Sequence, residues 1–318
     1  MITAPGKVLW IGSYSVVFHG IGHVIAVNRR VRCEAKPSDE TVFETSYGVF
    51  RGRGNDLIES VVTVLREEFG DLGKFSVKLY NDPDFMVDGR KTGLGSSSAA
   101  TVALTACIYE MLAGKLDLDK VHRLAQKANY IRQKGIGSGF DIASAVFGSL
   151  VYRRFTSIDK MDCYCEPLRL GKYQMALAFL GESADTVNLV RKFVEVSNNE
   201  EFKKYMERIE RENQWAIKYL RDGRLYATAQ HLRAARDLLN ALAKRVVGVE
   251  IETEQTRRLE TIAYAHDAVV ALSPGAGRES VFALAEDVSK IVEAWRREGV
   301  KVITLEEDGG LRHEDGNS

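Results

Sequence analysis

The sequence has no excess of either charge. Lys plus Arg and Asp plus Glu number 44 each, so no net basic field draws nucleic acid or an anionic membrane. A local basic pocket for a phosphorylated metabolite stays open. No uninterrupted apolar stretch approaches the ~18 residues of a membrane span. The opening Met1-Ile-Thr-Ala-Pro-Gly-Lys7 lacks the basic-then-apolar pattern of a signal peptide. A cytoplasmic protein with no membrane and no nucleic-acid partner is expected. Cysteine is scarce: Cys33, Cys107, Cys163 and Cys165 are too few for a disulfide scaffold. Cys107 sits in an apolar helical run and reads as a small core residue. Cys163-x-Cys165 has no second Cys or His pair at zinc spacing, which argues against a structural zinc site.

What remains is 318 residues with 45% hydrophobic content, enough for a sizeable core and about two domains. Short apolar runs at Val8–Ile11 and Val24–Val27 read as strands. Asn55–Phe69 has helical periodicity, and Phe75–Tyr80 alternates like a half-buried strand. Helices are expected at 99–112, 118–133 with an Asp cap, and from Ile142 to Phe147. Strands are expected at 149–155 and 173–180. Asn199–Lys244 reads as two antiparallel helices broken near Asp222-Gly223. A helix at 253–266, a buried strand at 268–272, a helix from Ser280 to Arg297 and a strand at 300–305 complete the pattern. Strands and helices mix without strict alternation, which favours α+β over a doubly wound sheet.

The chemistry gathers in Lys91-Thr-Gly93-Leu94-Gly95-Ser96-Ser97-Ser98-Ala-Ala100. Two glycines permit close backbone approach, and the serines open a helix whose first turn has free N–H groups and partial positive charge. Such a terminus binds phosphate, and serine hydroxyls add hydrogen bonds or ligate Mg²⁺. No Lys follows the glycines, so this is not a P-loop, and Ser98 replaces the third glycine of a dinucleotide fingerprint. On its own the segment is equally a serine-rich helix cap. A second glycine turn, Gly135-Ile-Gly-Ser138-Gly-Phe-Asp141, sets a carboxylate at a helix start, either as a cap or as a base or orienting group for phosphoryl transfer. A third, Ser273-Pro-Gly275-Ala276-Gly277, follows a buried strand. Lys7 follows Pro5-Gly6.

Together these segments resemble the GHMP kinases. Ala4–Gly12 is similar to the family's first motif, Gly93–Ala100 to its nucleotide-binding motif and Ser273–Gly277 to its third. The resemblance covers essentially the whole chain. Within the family, the Gly137-Ser-Gly-Phe-Asp-Ile stretch, Lys91-Thr92 and Gly181–Val190 are most similar to members that act on 5-phosphomevalonate. The resemblance implies an N-terminal ribosomal-protein-S5-like domain (residues 1–158) and a C-terminal ferredoxin-like domain with inserted helices (159–318), with the site in the cleft between them. It implies ATP and Mg²⁺ as cofactors, 5-phosphomevalonate as small-molecule substrate, and a monomer or homodimer. Lys91, Gly93, Leu94, Gly95 and Ser96 to Ser98 would cradle the ATP phosphates, with Ser97 the Mg²⁺ ligand. Asp141 would orient or deprotonate the acceptor, and Lys7 would neutralise charge between acceptor and γ-phosphate. Ser138, Gly275 and Ala276 would contact substrate, and Tyr14 and His19 would line its pocket. Lys134 is a candidate grip on the acceptor phosphate, whereas Arg278 reads as exposed.

Ser13 stands where mevalonate kinases usually carry Glu, which argues against mevalonate as acceptor. Three alternatives stay open: a kinase for mevalonate or a sugar, an ATP-dependent decarboxylase of the same family, and a catalytically silent ligand-binding regulator on the same scaffold.

Overall fold

The computed structural model describes residues 1–181 and 185–315. The long antiparallel pair β1 (Ile2–Ile11) and β2 (Gly22–Pro37) forms the spine of the first sheet. Strands β3 (Val42–Thr45), β4 (Gly48–Arg51) and β5 (Phe75–Asn81) extend it on one side, with β5 against β2. A small hairpin of β6 (Met86–Val87) and β7 (Arg90–Lys91) leads into the glycine–serine loop. Beyond that loop, β8 (Leu150–Arg153) pairs with the start of β2, and β9 (Tyr164–Pro167) pairs with β8.

Four helices accompany this sheet: α1 (Asp56–Phe69), α2 (Ser96–Ala113), α3 (Leu118–Arg132) and α4 (Phe140–Phe147). α2 and α4 lie against its strands, α1 packs on α2 and α3, and α3 also packs on α2 and α4. Asn55 caps α1 through Ile58 N–H and Asp117 caps α3 through Lys120 N–H, as short polar side chains do at helix starts. α2 is almost wholly buried. Its small residues Ala99, Ala103 and Ala106 are all fully enclosed, so the central helix packs with neighbours on every side.

The second sheet contains β10 (Gln174–Phe179), β11 (Val270–Leu272), β12 (Ser280–Ala285) and β13 (Lys301–Leu305) in the order β11-β12-β10-β13, all antiparallel. Numbered within this sheet, that order is second, third, first, fourth, which is the ferredoxin-like arrangement. Helices α5 (Thr186–Glu195), α6 (Glu200–Arg221), α7 (Leu225–Leu242) and α8 (Glu254–Ala265) intervene between β10 and β11, and α9 (Ser289–Arg297) precedes β13. Trp295 of α9 is fully buried and donates its indole N–H to Leu259 O on α8 at 2.9 Å. No helix among the described residues is long and apolar enough to cross a membrane.

Three expectations need correction or addition. The helix expected from Ser280 is a strand up to Ala285, and the helix begins only at Ser289. Ser280–Ala285 lies inside the second sheet between β11 and β10 and is buried on both faces. A continuous short apolar run of this kind does not distinguish helix from central strand by periodicity. Cys107 is buried as expected, but its sulfur is bonded to that of Cys33 on β2 at 2.11 Å. The segment resembling Gly181–Val190 includes residues 182–184, which lie outside the described residues.

The C-terminal segment returns to the first sheet, where β14 (Arg312–His313) pairs with β1. Arg30, only 3% exposed, holds this return in place. It donates to Thr3 Oγ1 at 2.7 Å, Gly310 O at 2.6 Å, Gly309 O at 2.9 Å and Asp308 Oδ2 at 3.1 Å. Removing one partner of such a buried set leaves the others unpaired. Arg30→Met is therefore expected to lower stability by about 3–5 kcal/mol in urea unfolding, whereas Arg53→Met on the exposed surface stays within about 0.5 kcal/mol of the parent.

Candidate active site

The site begins where β1 meets the glycine–serine loop. The Lys7 N–H donates to Leu94 O at 2.8 Å, and Lys7 Nζ donates to Gly93 O at 2.9 Å. The contact requires glycine: a β-carbon on Gly6 would lie 2.6 Å from Leu94 O and 2.9 Å from the Phe85 ring. Gly95 has φ +79° and serves as N-cap of α2 with no side-chain cap and no acidic residue in the first turn. The positive end of α2 therefore has no carboxylate of its own helix competing for it. Ser96 and Ser98 are buried and Ser97 is half-buried. Lys91 Nζ donates to Ser97 Oγ at 3.1 Å.

The second glycine turn meets the first through side chains. The Ser98 hydroxyl donates to Asp141 Oδ2 in a short hydrogen bond, and Ile142 N–H reaches Asp141 Oδ1 at 3.0 Å. Gly139 opens α4 at φ +82°. Tyr152 from β8 donates to Ser138 O at 2.5 Å, and Gln126 Nε2 of α3 donates to Gly139 O at 2.8 Å. The turn that carries Asp141 is thus fixed from two elements beneath it. The third turn packs on β1 through Gly275 N–H to Leu9 O at 3.3 Å. Tyr14 donates its hydroxyl to Ala276 O at 2.6 Å and stacks on Phe193 at 4.0 Å. Burial pushes the Tyr14 phenol well above its usual pKa, so it stays a donor. Below this turn, buried Arg236 donates to both Ser273 O at 2.9 Å and Glu252 Oε1 at 2.7 Å.

These turns bound a cleft of about 540 Å³. Lys7, Gly93 and Leu94 line it from one side, Ser138 and Asp141 from another, and Tyr14, Gly275 and Ala276 from a third. Gly95, Ser96, Ser97, Ser98 and Lys91 are not on its wall. They form the loop and helix start next to it, with Ser98 reaching in through Asp141. His19 is not part of the cleft. It is exposed, at φ +63°, and borders a separate hollow beside Phe202 and Glu210. Arg278 is half-buried and donates to Glu250 O at 2.5 Å instead of facing the cleft.

Two charged residues on the cleft wall were not singled out from sequence, Arg132 and Glu279, while Lys134 was. Arg132 ends α3. Burial lowers its pKa and Asp141 raises it, and its buried Nε has no hydrogen-bond partner among the described residues. Its place two residues before Lys134 was the available signal. Lys7 is half-buried. Loss of water lowers its pKa, and the charges of Asp141 and Glu279 pull it back upward. The cleft therefore sets Lys7 and Arg132 around one carboxylate, a frame suited to phosphate anions. Mg²⁺ takes hard oxygen donors, and the hydroxyl of Ser97 and the carboxylates of Glu279 and Asp141 supply that kind of donor here.

Comparison with known proteins defines the class. The profile of the GHMP kinases N-terminal domain matches residues 56–149. The chain is 55% identical over 318 residues, 98% of each chain, to a phosphomevalonate kinase of Saccharolobus solfataricus. It belongs to the GHMP kinase family. In fold it is similar to protein Lin0012 of Listeria innocua, with a TM-score of 0.87 at 20% identity over 99% of both chains. It is also similar to a phosphomevalonate kinase of Streptococcus pneumoniae solved with phosphomevalonate and AMPPNP, with a TM-score of 0.81 at 18% identity over 97% of this chain and 100% of that one.

The meeting of β1 and the loop should be sensitive to a single methyl group. Gly6→Ala is expected to cost about 1–3 kcal/mol through overpacking, measured by urea unfolding. It should also weaken binding of a non-hydrolysable ATP analogue in a fluorescence titration, because Leu94 and the loop behind it must move away from Lys7.

Proposed function

We propose that this chain is an ATP-dependent kinase that converts (R)-5-phosphomevalonate to (R)-5-diphosphomevalonate in isoprenoid biosynthesis. The observation that carries the reading is the convergence of Lys7, Arg132 and Asp141 on one cleft beside the open N-terminus of α2. The whole-length 55% identity to a phosphomevalonate kinase supports the choice of acceptor. In this reading residues 1–158 bind nucleotide and 159–318 close the acceptor side. Its partners are small molecules alone, in a cytoplasmic monomer or homodimer.

In the reaction an oxygen of the acceptor phosphate bonds to the γ-phosphorus, the bond to the β,γ-bridging oxygen breaks, and ADP leaves. A phosphomonoester has its second pKa at about 6, so the acceptor arrives ionised near neutral pH and needs little help from a base. The main barrier is bringing two anions together. Gly93, Leu94, Gly95 and the first turn of α2 hold the ATP phosphates with backbone N–H groups, aided by Ser96, Ser97 and Lys91. Lys7 lies between acceptor and γ-phosphate and neutralises the charge that builds there. Arg132 and Lys134 grip the acceptor phosphate. Asp141, held by Ser98, orients Lys7 and Arg132 and aligns the acceptor. Ser138, Tyr14, Gly275 and Ala276 contact the remainder of the substrate. Mg²⁺ would be held through Ser97, with Glu279 across the loop, and when bound it neutralises the β- and γ-phosphates.

Phosphorus NMR of an acceptor panel tests the reading. A diphosphate ester should form from 5-phosphomevalonate, and mevalonate and galactose should stay unchanged. Transfer to mevalonate in preference would sink the assignment in favour of mevalonate kinase, and saturable ATP binding with no transfer would favour the regulator. Lys7→Ala should lose about 10²–10³ in kcat and be at least as damaging as Asp141→Asn. Arg132→Met should raise KM for 5-phosphomevalonate about 10–100-fold with little change in KM for ATP.

The lowered pKa of Lys7 gives a pH signature. The cation is present below that pKa and lost as pH rises through it, so kcat/KM should fall on the alkaline side earlier than for an ordinary lysine. Lys7→Arg should abolish that fall, because guanidinium stays charged. An unchanged alkaline limb in Lys7→Arg would assign the titration to another group.

A further inference from the structure

Cys163-x-Cys165 does not resemble a metal site in sequence because no second Cys or His pair follows at zinc spacing. The fold supplies a nitrogen from another element. Cys163 lies just before β9 and Cys165 within it. Residues two apart in an extended chain share a face, and the two Sγ atoms stand 4.0 Å apart. His122 comes from α3. One ligand atom from each of His122, Cys163 and Cys165 lies within 4.8 Å of the others. With metal–sulfur bonds of about 2.3 Å and metal–nitrogen bonds of about 2.0–2.1 Å, tetrahedral neighbours stand roughly 3.5–3.8 Å apart. Closing the cluster onto an ion therefore needs movements of about 1 Å or less.

The setting favours an ordered ligand with an open approach. His122 is buried, with its ring 5.0 Å from that of Phe147. Both cysteines are only half-buried, so an ion can reach them. His122 Nε2 stands 3.1 Å from Gln126 Nε2, and the same Gln126 nitrogen donates to Gly139 O.

We propose that His122, Cys163 and Cys165 bind a thiophilic divalent cation of the zinc type, with a fourth position left to water. Two thiolates and an imidazole select such an ion over Mg²⁺, so the site is chemically separate from the phosphate chemistry. Each thiol gives its proton to solvent as it binds. With Nε2 engaged by Gln126, the metal takes Nδ1, and the ring proton then resides on Nε2. A ligating imidazole needs an acceptor for that proton, and Gln126 provides one by turning its Oε1 toward the ring. The turn withdraws the donor from Gly139 O at the head of the helix that carries Asp141. Metal occupancy thereby reaches the catalytic turn.

The test uses the full chain, stripped with chelator and reduced with a phosphine, titrated with ZnCl₂ alone and with Co²⁺ alone. One equivalent of Zn²⁺ should bind by elemental analysis after dialysis. Co²⁺ should give a sulfur-to-metal charge-transfer band. The double variant C163S/C165S should lose the band, and both it and His122→Gln should bind Zn²⁺ at least ~10-fold more weakly. The buried His122 variant is checked by circular dichroism, and the half-buried cysteine pair keeps the test valid if that variant fails to fold. Zn²⁺ should change the kcat or acceptor KM of the parent at least about twofold and not those of C163S/C165S, whose metal-free rate should lie near that of the metal-free parent. Two results overturn the proposal: Zn²⁺ binding by the reduced parent no tighter than by C163S/C165S, or a cobalt complex without the sulfur band.

Discussion

The architecture of the site depends on one close approach of two backbones. β1 passes the glycine–serine loop so closely that Gly6 has no room for a β-carbon, and Lys7 N–H bonds Leu94 O across the gap. That bond fixes the start of α2 relative to the spine of the first sheet. Lys7 is then held with its ammonium on Gly93 O, two residues before the N-cap of α2. A flexible loop would give the same residues without the alignment that phosphoryl transfer requires.

Charge is distributed in the cleft with the same economy. Lys7 and Arg132 are both deprived of water, and both have their pKa values lowered by that loss. Asp141 draws both back toward the charged form. Glu279 does the same for Lys7. Lys7 and Arg132 both line the one cleft, and a pair of partly desolvated cations is a setting that favours an anion. Asp141 is itself fixed by Ser98, and its turn by Tyr152 and Gln126.

Much of this was legible in the sequence because it depends on local rules. Glycines at 93, 95 and 139 announce positive φ, and Asn55, Asp117 and Thr253 announce helix starts through their capping side chains. The periodicities of α1 and β5 followed from one buried face each. Where both faces are buried, the period vanishes, and β12 reads from sequence as the start of a helix. Residues whose place depends on distant pairing were invisible for another reason. Nothing local joins Cys33 to Cys107, or Arg30 to the carbonyls of Gly309 and Gly310. His19 shows the converse: it follows the first motif closely in sequence, but the wall of the cleft ends at Val17 and His19 borders another hollow.

The sequence by itself determined the glycine–serine loop at the start of α2, the two other glycine turns and the places of Lys7 and Asp141 beside them, because backbone freedom and helix-end charge are properties of a few consecutive residues. Tertiary structure alone decided which of those residues share a wall. It brought Arg132 and Glu279 to the cleft, kept His19 out of it and set His122 beside Cys163 and Cys165. The physical reason is that such neighbours are selected by how α3, β9 and the second sheet pack, and packing is a balance over the whole core that no single segment encodes.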